Sequence, residues 1–248
     1  MITVLAGGVG AARFLQGLVE VVPAKDITVI VNTGDDAEFF GLHVSPDIDT
    51  IMYTLANIVD EKRGWGIRGD TFSCLKMLER YGYETWFKIG DKDLATHIYR
   101  TQLLRNGLTL SETTERIHRK WGLNVKILPM TDDKFVTKVV TPSGSIHFQN
   151  YFVKRKFRGK VIDVKFEGAD NAKPSPKVIE SILDSDAVII SPSNPIVSIG
   201  TILSVTGVKE ALKEGRTKIV AVSPIVGGKP IKGPADKLMQ GVGVEVSA

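Results

Sequence analysis

The chain has 248 residues, of which 43% are hydrophobic and 24% charged, and its formal net charge is +4. This composition is typical of a globular protein with a sizeable core, and it excludes a disordered chain. The modest positive charge suits an anionic small ligand and, without a clustered basic face, does not predict a nucleic-acid partner. The single cysteine, Cys74, excludes an intrachain disulfide and a cysteine-based metal site.

Neither a membrane span nor a secretion signal is predicted. No apolar run approaches the roughly 18 residues needed to cross a bilayer. The first residues lack the basic start and small-residue cleavage site of a signal peptide. We therefore expect a cytoplasmic protein with no membrane partner. The densest basic run, residues 154–160, is interpreted as a solvated turn between two strands.

The first 14 residues predict a strand, a glycine turn and a helix. Residues 2–6 form an uncharged apolar run, Gly7, Gly8 and Gly10 form the turn, and a helix is predicted for residues 11–21. This order brings backbone N–H groups and the positive end of a helix to one point, where a phosphate can bind. The spacing matches neither G-x-G-x-x-G nor the lysine-containing phosphate loop, so a tight turn without a ligand is the alternative.

The remaining pattern predicts an α/β fold, a Rossmann-like three-layer parallel sheet in one domain over residues 1–248. A helical region is inserted at about residues 66–122, and residues 136–140 and 145–148 form a β-hairpin added to the sheet. Strands are expected at 27–31, 125–128, 160–166, 187–190, 218–222 and 242–246, and helices at 46–60, 175–183, 208–213 and 235–240.

Five predicted strands end in polar or glycine-rich segments. These are residues 7–10, 32–36, 129–133, 191–195 and 223–228. Because the carboxyl ends of parallel strands share one edge of a sheet, the arrangement predicts a nucleotide site there. Two prolines stiffen the fourth segment and aim Ser193 and Asn194 at this edge. Without a hydrolytic triad or a zinc motif, the remaining chemistry is phosphoryl-type transfer.

Two carboxylates begin the helix predicted after the second strand. Ser45 or Asp47 can cap this helix, and Pro46 fits its first turn. Asp49 is left without a capping duty. Together Asp47 and Asp49 could bind Mg²⁺, or accept a proton from a hydroxyl group.

The segment around Lys88 is a second candidate. Lys88 follows Trp86 and Phe87, and such a cation beside aromatic rings could clamp a planar ligand with an anionic or carbonyl edge. The alternative is a capped turn, with Asp91 as N-cap of the next helix and the two rings in the core. His97 has no evident partner in the sequence and is interpreted as structural.

Seven segments, in order along nearly the whole chain, form a joint pattern that is more specific than any one of them. They are residues 7–14, 32–33, 45–50, 88–91, 128–133, 191–195 and 222–225. The pattern resembles the 2-phospho-L-lactate transferases of deazaflavin coenzyme (F-420) biosynthesis. The resemblance implies transfer of a phospholactyl or phosphoenolpyruvyl group from a guanosine diphosphate-linked donor to the ribityl hydroxyl of the deazaflavin Fo. GMP would be released, Mg²⁺ would be required, and a homodimer is expected.

The resemblance also implies roles for particular residues. The acidic residue and the lysine that contact Fo in the family fall on Asp49 and Lys88, and Asn32 and Thr33 are expected beside them. Asp49 is the candidate catalytic residue, which would orient or deprotonate the attacking hydroxyl. The diphosphate would lie against the glycine turn and the two polar residues of the fourth segment. The expected nucleotide contacts are Gly7, Gly8, Gly10, Ser193 and Asn194, and the expected metal ligands are Asp47 and Asp49.

Two other functions remain open. A relative of the same fold could bind a nucleotide or nucleotide-sugar in a regulatory role without catalysing transfer. A Rossmann dehydrogenase comes third, because the glycine spacing is wrong although Asp35 or Asp36 could imitate the ribose-binding acid. The sequence does not decide between lactyl and enolpyruvyl donors, nor does it identify the residues that select guanine.

Overall fold

A computed structural model describes residues 1–215 and 217–247. The strands in chain order are β1 (Ile2–Ala6), β2 (Ile27–Val31), β3 (Ala37–Phe39), β4 (Leu42–Val44), β5 (Lys126–Pro129), β6 (Val136–Thr141), β7 (Gly144–His147), β8 (Asp163–Glu167), β9 (Ala187–Ile190), β10 (Lys218–Ala221), β11 (Ile225–Val226) and β12 (Lys229–Pro230). The helices are α1 (Gly8–Leu18), α2 (Pro46–Leu55), α3 (Ser73–Arg80), α4 (Asp91–Arg105), α5 (Leu110–Lys120), α6 (Val178–Leu183), α7 (Thr201–Leu203), α8 (Val208–Glu214) and α9 (Ala235–Gly241).

A five-stranded sheet in the order β10-β9-β1-β2-β5 forms the centre of the protein, and all its pairs are parallel. The middle strands are almost wholly apolar because both of their faces are covered. Val4 and Ala6 pack with α1, α2 and α5, whereas Leu5 packs with α6, α7 and α8. This alternation is the period of two expected of a strand. The predicted α/β fold with helices on both faces of a parallel sheet is confirmed.

The hairpin is confirmed, but its predicted addition to the main sheet is wrong. β6 pairs antiparallel with β7 and β8 in a separate three-stranded sheet. Val139 of β6 packs with Tyr151, Val197 and Leu238 in a cluster distinct from the main core. The hairpin forms its own sheet because its inward side chains bury their surface in that cluster rather than against the central sheet.

Other predictions failed where local hydrogen bonds decide the structure. No strand forms at residues 242–246, because the N–H groups of Val242 and Val244 donate to carbonyls of Leu238 and Met239 and so terminate α9. Helix α2 ends at Leu55 instead of about residue 60, because Asn57 adopts a φ of 56° and the chain turns into a bridge between Val59 and Ile67. Helix α1 begins at Gly8, within the glycine turn itself.

Helices α3 and α4 cap each other. The Asp91 carboxylate accepts hydrogen bonds from the N–H groups of Ser73 and Cys74 at 2.9 Å, so it caps α3. The alternative interpretation of the sequence, in which Asp91 caps its own helix α4, is wrong. Asp70 in turn accepts from the N–H groups of Lys92 (2.8 Å) and Asp93 (3.0 Å) at the start of α4. These bonds satisfy backbone donors that a helix start leaves free, and they fix one helix against the other.

No single helix among the described residues is long and apolar enough to cross a membrane, although the bent pair Pro195–Leu203 and Val208–Glu214 meets that test when taken together.

Replacing the capping carboxylate of Asp70 tests the link between the two helices. Because Asp70→Ala leaves the first N–H groups of α4 without an acceptor, we expect the free energy of unfolding to fall by about 1 kcal/mol. Asp70→Asn keeps an acceptor oxygen and should lose less. The measurement is urea denaturation, with Asp184→Ala at an exposed position as the control. A loss equal in Asp70→Ala and the control would contradict the capping role.

Candidate functional site

A cavity of about 750 Å³ opens at the carboxyl-terminal edge of the central sheet. Segments that follow β1, β2, β9 and β10 all contribute to its wall, as shown by Gly7, Asp35, Ser193 and Pro224. The sequence predicted this convergence for five segments, and four of them line the cavity. The remaining segment, residues 129–133, does not line the cavity and forms local hydrogen bonds. Asp132 accepts from the Ser111 N–H at the start of α5, and Asp133 accepts from the Lys173 N–H.

The turn after β1 packs closely against the segment after β9. The Gly7 N–H donates to the Ser193 hydroxyl at 3.0 Å, and that hydroxyl lies 2.9 Å from the hydroxyl of Ser191. A Cβ on Gly10 would lie only 2.3 Å from the carbonyl oxygen of Pro192, so this position requires glycine. The structure thus joins the predicted nucleotide-binding residues of both segments at the start of α1.

Asn194 has a structural duty in this arrangement. Its Oδ1 accepts from the N–H groups of Ile196 and Val197 and caps the helical turn that follows. Asn194 also lines the cavity, together with Gly8. Gly8 has a φ of +71°, a left-handed conformation that favours glycine.

Buried carboxylates lie opposite the glycine turn. Asp47 accepts a hydrogen bond of 2.9 Å from the Asn32 amide, and the nearby Gly8 backbone also favours its charged form. Asp47 therefore faces the start of α1 and does not cap its own helix, α2. Ser45, the other predicted cap, also fails to cap α2, because its hydroxyl donates to Asp36 at 2.7 Å.

Burial and mutual repulsion raise the pKa values of two of these acids. Burial is the larger cause for Asp35 and the charge of Asp47 the next, and together they hold the pKa of Asp35 well above its usual value. Burial, with the charge of Asp36, raises the pKa of Asp47 to about 7. Oδ1 of Asp35 is buried without a hydrogen-bond partner in the described part of the chain. Both residues line the cavity, so this wall is suited to a proton or a cation.

Asp49 lies two residues further along α2 and faces a different partner. Its carboxylate forms a two-pronged ion pair with Arg100 of α4, with Nη1 3.0 Å from Oδ2 and Nη2 against Oδ1. Residues two apart on a helix point about 200° away from each other, so the predicted pair Asp47 and Asp49 does not share a partner. Arg100 has no exposed side-chain surface. Burial alone would lower its pKa, but the Asp49 charge raises it above the usual value.

Three more residues complete a buried polar network between α2 and α4. The Tyr53 hydroxyl donates to Oδ1 of Asp93 at 2.8 Å, and Nε2 of His97 lies 3.3 Å from the same oxygen. Nδ1 of His97 lies 3.2 Å from Nη1 of Arg100. Burial alone would raise the pKa of Asp93, but the nearby His97 ring, the Tyr53 hydroxyl and the Arg100 charge lower it.

Sequence analysis did not find this network and gave His97 no partner. A signal was nevertheless present, since Asp93, His97 and Arg100 follow the spacing i, i+4, i+7 and share one face of a helix. Asp49 and Tyr53 show the matching i, i+4 spacing on α2. Polar residues on one helical stripe indicate a buried network when a second helix carries complementary groups.

The remaining predicted site residues differ in exposure and in their distance from the cavity. Lys88 is exposed and lines the cavity. Phe87 stacks on Phe39 with ring centroids 3.9 Å apart, and the cation above Trp86 is Lys154, at 5.7 Å, instead of Lys88. Asn32 and Thr33 are buried behind the cavity wall. Asn32 donates a hydrogen bond to Asp47, which does line the cavity.

The rest of the cavity wall comes from residues that the sequence did not single out for this site. Cations stand at Arg13 and Lys232, and apolar surface comes from Trp65, Phe148 and Phe152. The cavity therefore combines an acidic wall, cationic side chains and aromatic rings. Such a mixture suits an anionic ligand joined to a planar one.

Fold and cavity together define an α/β protein with a ligand site at the carboxyl edge of a parallel sheet. The model of the 2-phospho-L-lactate transferase CofD family matches residues 2–247. The chain is 48% identical over 252 residues to a phosphoenolpyruvate transferase of Streptomyces griseus, covering all of this chain and 79% of that protein. It is 45% identical over 247 residues to a 2-phospho-L-lactate transferase of Methanopyrus kandleri, covering 99% and 78%.

Among solved structures, protein BH3568 from Bacillus halodurans superposes with a TM-score of 0.62 at 19% identity, covering 89% of this chain and 67% of that one. This likeness concerns the fold alone. The family match and the close relatives show that the chain belongs to the CofD family of 2-phospho-L-lactate transferases. It is a transferase of coenzyme F-420 biosynthesis.

The raised pKa of Asp47 predicts how stability changes with pH. Between about pH 4 and pH 7 the folded protein holds a proton on Asp47 that the unfolded chain has released. The contribution of Asp47 to the free energy of unfolding should therefore fall as pH rises through this range, by about 1–3 kcal/mol, and this contribution should level off above it.

Guanidinium denaturation at pH 5, 6, 7 and 8 measures the effect. In Asp47→Asn the titrating group is gone, so the difference in unfolding free energy between wild type and variant should track this titration. A difference that does not change with pH would show that the Asp47 pKa is not raised.

Proposed function

We propose that the protein transfers a phospholactyl or phosphoenolpyruvyl group from a guanosine diphosphate-linked donor to the terminal hydroxyl of the deazaflavin Fo. The hydroxyl oxygen attacks the phosphorus that carries the lactyl or enolpyruvyl group, the phosphoanhydride bond breaks, and GMP leaves with the bridging oxygen. The hydroxyl proton is released. One observation carries the proposal: in a chain of this family, a single cavity joins the glycine turn at the start of α1 to the carboxylate of Asp49.

In this proposal the start of α1 binds the diphosphate. Gly8 and Gly10 line the cavity where the helix presents its free N–H groups, and Ser193 and Asn194 stand beside them. Arg13 and Lys232 are close enough to the cavity to contribute positive charge. These groups stabilise the charge that moves onto the leaving phosphate during transfer.

Asp49 orients the attacking hydroxyl. Each of its oxygens already accepts one N–H from Arg100, and each retains a lone pair for a further donor. Lys88 binds the deazaflavin from the exposed side of the cavity, near the stacked rings of Phe39 and Phe87. The relatives' names include both lactate and enolpyruvate transferases, and the donor group of this protein is left open between them. A homodimer and a cytoplasmic location remain predictions.

The residues present fit a Mg²⁺ ion at Asp35 and Asp47. A diphosphate at the start of α1 would face these carboxylates, and a cation between them removes the repulsion. Asp35 Oδ1 has no hydrogen-bond partner among residues 1–215 and 217–247, and burial, followed by the charges of neighbouring acids, raises the pKa values of both residues. The described residues contain no cluster of three or more His, Cys, Asp or Glu suited to a metal, so water and substrate phosphate would complete the coordination. When bound, Mg²⁺ would neutralise charge on the donor phosphates.

Thermal unfolding with and without Mg²⁺ tests this choice of ligands. We expect millimolar Mg²⁺ with GDP to raise Tm beyond the effect of GDP alone, because the ion binds the folded state. The increment should vanish in Asp35→Asn and Asp47→Asn. The increment should persist in Asp49→Asn. The sequence predicted Asp49 as a metal ligand, but in the structure this carboxylate is paired with Arg100. NaCl at matched ionic strength is the control, and loss of the increment only in Asp49→Asn would refute the assignment.

The transfer reaction itself is tested with Fo, the guanosine diphosphate-linked donors and Mg²⁺, following product and GMP by mass spectrometry. Wild type should give both products. Asp49→Asn should lower kcat on the order of 100-fold. Lys88→Met should weaken Fo binding about tenfold, because it removes the cation that contacts the ring edge.

Lys25→Met is the matched control, since Lys25 is exposed beside the start of β2, at the opposite edge of the sheet. Circular dichroism checks that Asp49→Asn folds, because it leaves Arg100 buried without its ion pair. Tight binding of GDP or a nucleotide-sugar with no transfer and no Fo binding would favour the regulatory alternative.

A further inference from the structure

The buried network between α2 and α4 contains four residues to which the proposed reaction gives no role, and two of them, His97 and Arg100, connect directly to Asp49. Both are buried, and His97 lines the cavity next to Asp49. Their bonds run from the solvent-shielded helix interface to Asp49, the carboxylate that orients the attacking hydroxyl in the proposed reaction. This continuity raises the question of what fixes the orientation of Asp49.

The chemistry of arginine fixes the direction of each hydrogen bond. A guanidinium group only donates, so Nδ1 of His97, 3.2 Å from Nη1 of Arg100, is the acceptor. In the neutral ring the hydrogen then sits on Nε2, which lies 3.3 Å from Oδ1 of Asp93 but makes no hydrogen bond within the described part of the chain. The tautomer is thereby defined by Arg100 at Nδ1, and Asp93 is the acidic group nearest to Nε2.

The partners of Asp93 reinforce the arrangement. Tyr53 donates to the same carboxylate oxygen, and burial with the charges of Asp49 and Asp93 raises the pKa of Tyr53, which keeps it a donor. The Asp93 N–H is bound by Asp70, so the start of α4 is held in place. Asp93, whose Oδ1 lies 3.3 Å from Nε2 of His97, is therefore itself held in place.

Arg100 depends on these neighbours. Its Nε is buried without a partner in the described chain, so Asp49 and His97 supply the acceptors for its guanidinium. If the acceptor at His97 is lost, Nη1 of Arg100 loses a buried hydrogen bond. Rotation of the guanidinium towards another acceptor would then lower its energy. Because Asp49 is bound to both ends of that plane, it turns with it.

We propose that His97 is a positioning residue: by accepting from Arg100 it fixes the guanidinium plane, and through it the orientation of the Asp49 carboxylate in the cavity. This inference rests on the proposed function for the role of Asp49 as the group that receives the acceptor hydroxyl. It assigns His97 no contact with substrate and no proton transfer.

Three substitutions separate the two sides of the imidazole. Asn places Oδ1 near the position of Nδ1 and keeps the acceptor for Arg100, Gln reaches the position of Nε2 and keeps the donor towards Asp93, and Leu keeps neither. We expect His97→Leu and His97→Gln to lower kcat/KM for Fo about tenfold or more, and His97→Asn to stay within about threefold of wild type. KM for the guanosine diphosphate-linked donor should be unchanged in all three, whereas a generally loosened fold would raise both KM values.

His118→Leu is the matched control, because it removes another buried histidine, on α5, and should leave both KM values unchanged. If His97→Leu does not fold, the comparison of Asn with Gln carries the test, since both are polar and differ only in which partner they reach. Activity in His97→Gln equal to or above that of His97→Asn, or wild-type activity in His97→Leu, would overturn the proposal.

A ligand-free measurement separates this inference from the proposed function. In ¹⁵N-labelled protein, the Arg100 side-chain signals, assigned with Arg100→Lys, should be sharp and slowly exchanging in wild type and His97→Asn. They should broaden or shift in His97→Gln. If wild type transfers nothing to Fo but this pattern holds, the proposed function fails and the positioning of Arg100 by His97 stands. If the signals are identical in all variants, His97 does not fix the guanidinium.

Discussion

The ion pair between Asp49 and Arg100 is the interaction on which the inner wall of the cavity depends. Burying a guanidinium group away from water carries a large desolvation penalty unless its donors find charged or polar acceptors. Here a two-pronged bond to Asp49 and a contact with His97 supply them. The same bonds join α2, which begins directly after β4, to α4, which belongs to the helical region outside the sheet. The inserted helices are thereby fixed to the edge where the strands end.

The acidic residues that line the cavity lie in two different electrostatic environments. Burial and mutual repulsion raise the pKa values of Asp35 and Asp47, whereas Asp49 and Asp93 have nearby donors that favour their charged forms. A carboxylate held by such donors accepts hydrogen bonds in a fixed direction. An uncompensated pair attracts a cation or keeps a proton. Four acidic side chains within one cavity thus serve two purposes, distinguished by their partners and not by their residue type.

Much of the fold followed from the sequence, because short apolar strands bounded by glycine, proline and polar residues leave few alternatives in a βαβ pattern. The same reasoning placed Gly7 and Ser193 at one edge, since parallel strands must end together. What it missed depends on contacts between distant segments. Arg100 lies 51 residues after Asp49, and nothing local shows that their helices face each other. The helix-cap predictions were wrong for a similar reason. Asp91 caps α3 across the helix interface, although its position at the start of α4 predicted a bond within its own helix.

The bond between Gly7 and Ser193 spans 186 residues of sequence, and β1 lies between β2 and β9 in the sheet. During synthesis on the ribosome, β1 and β2 are therefore complete long before the strand that covers the other edge of β1. That edge must wait unpaired, a state in which strands are prone to pair with other chains. The turn that contacts the nucleotide in the proposed reaction is among the first segments made and among the last to be ordered, so folding of the amino-terminal strand is coupled to emergence of the segment that follows β9.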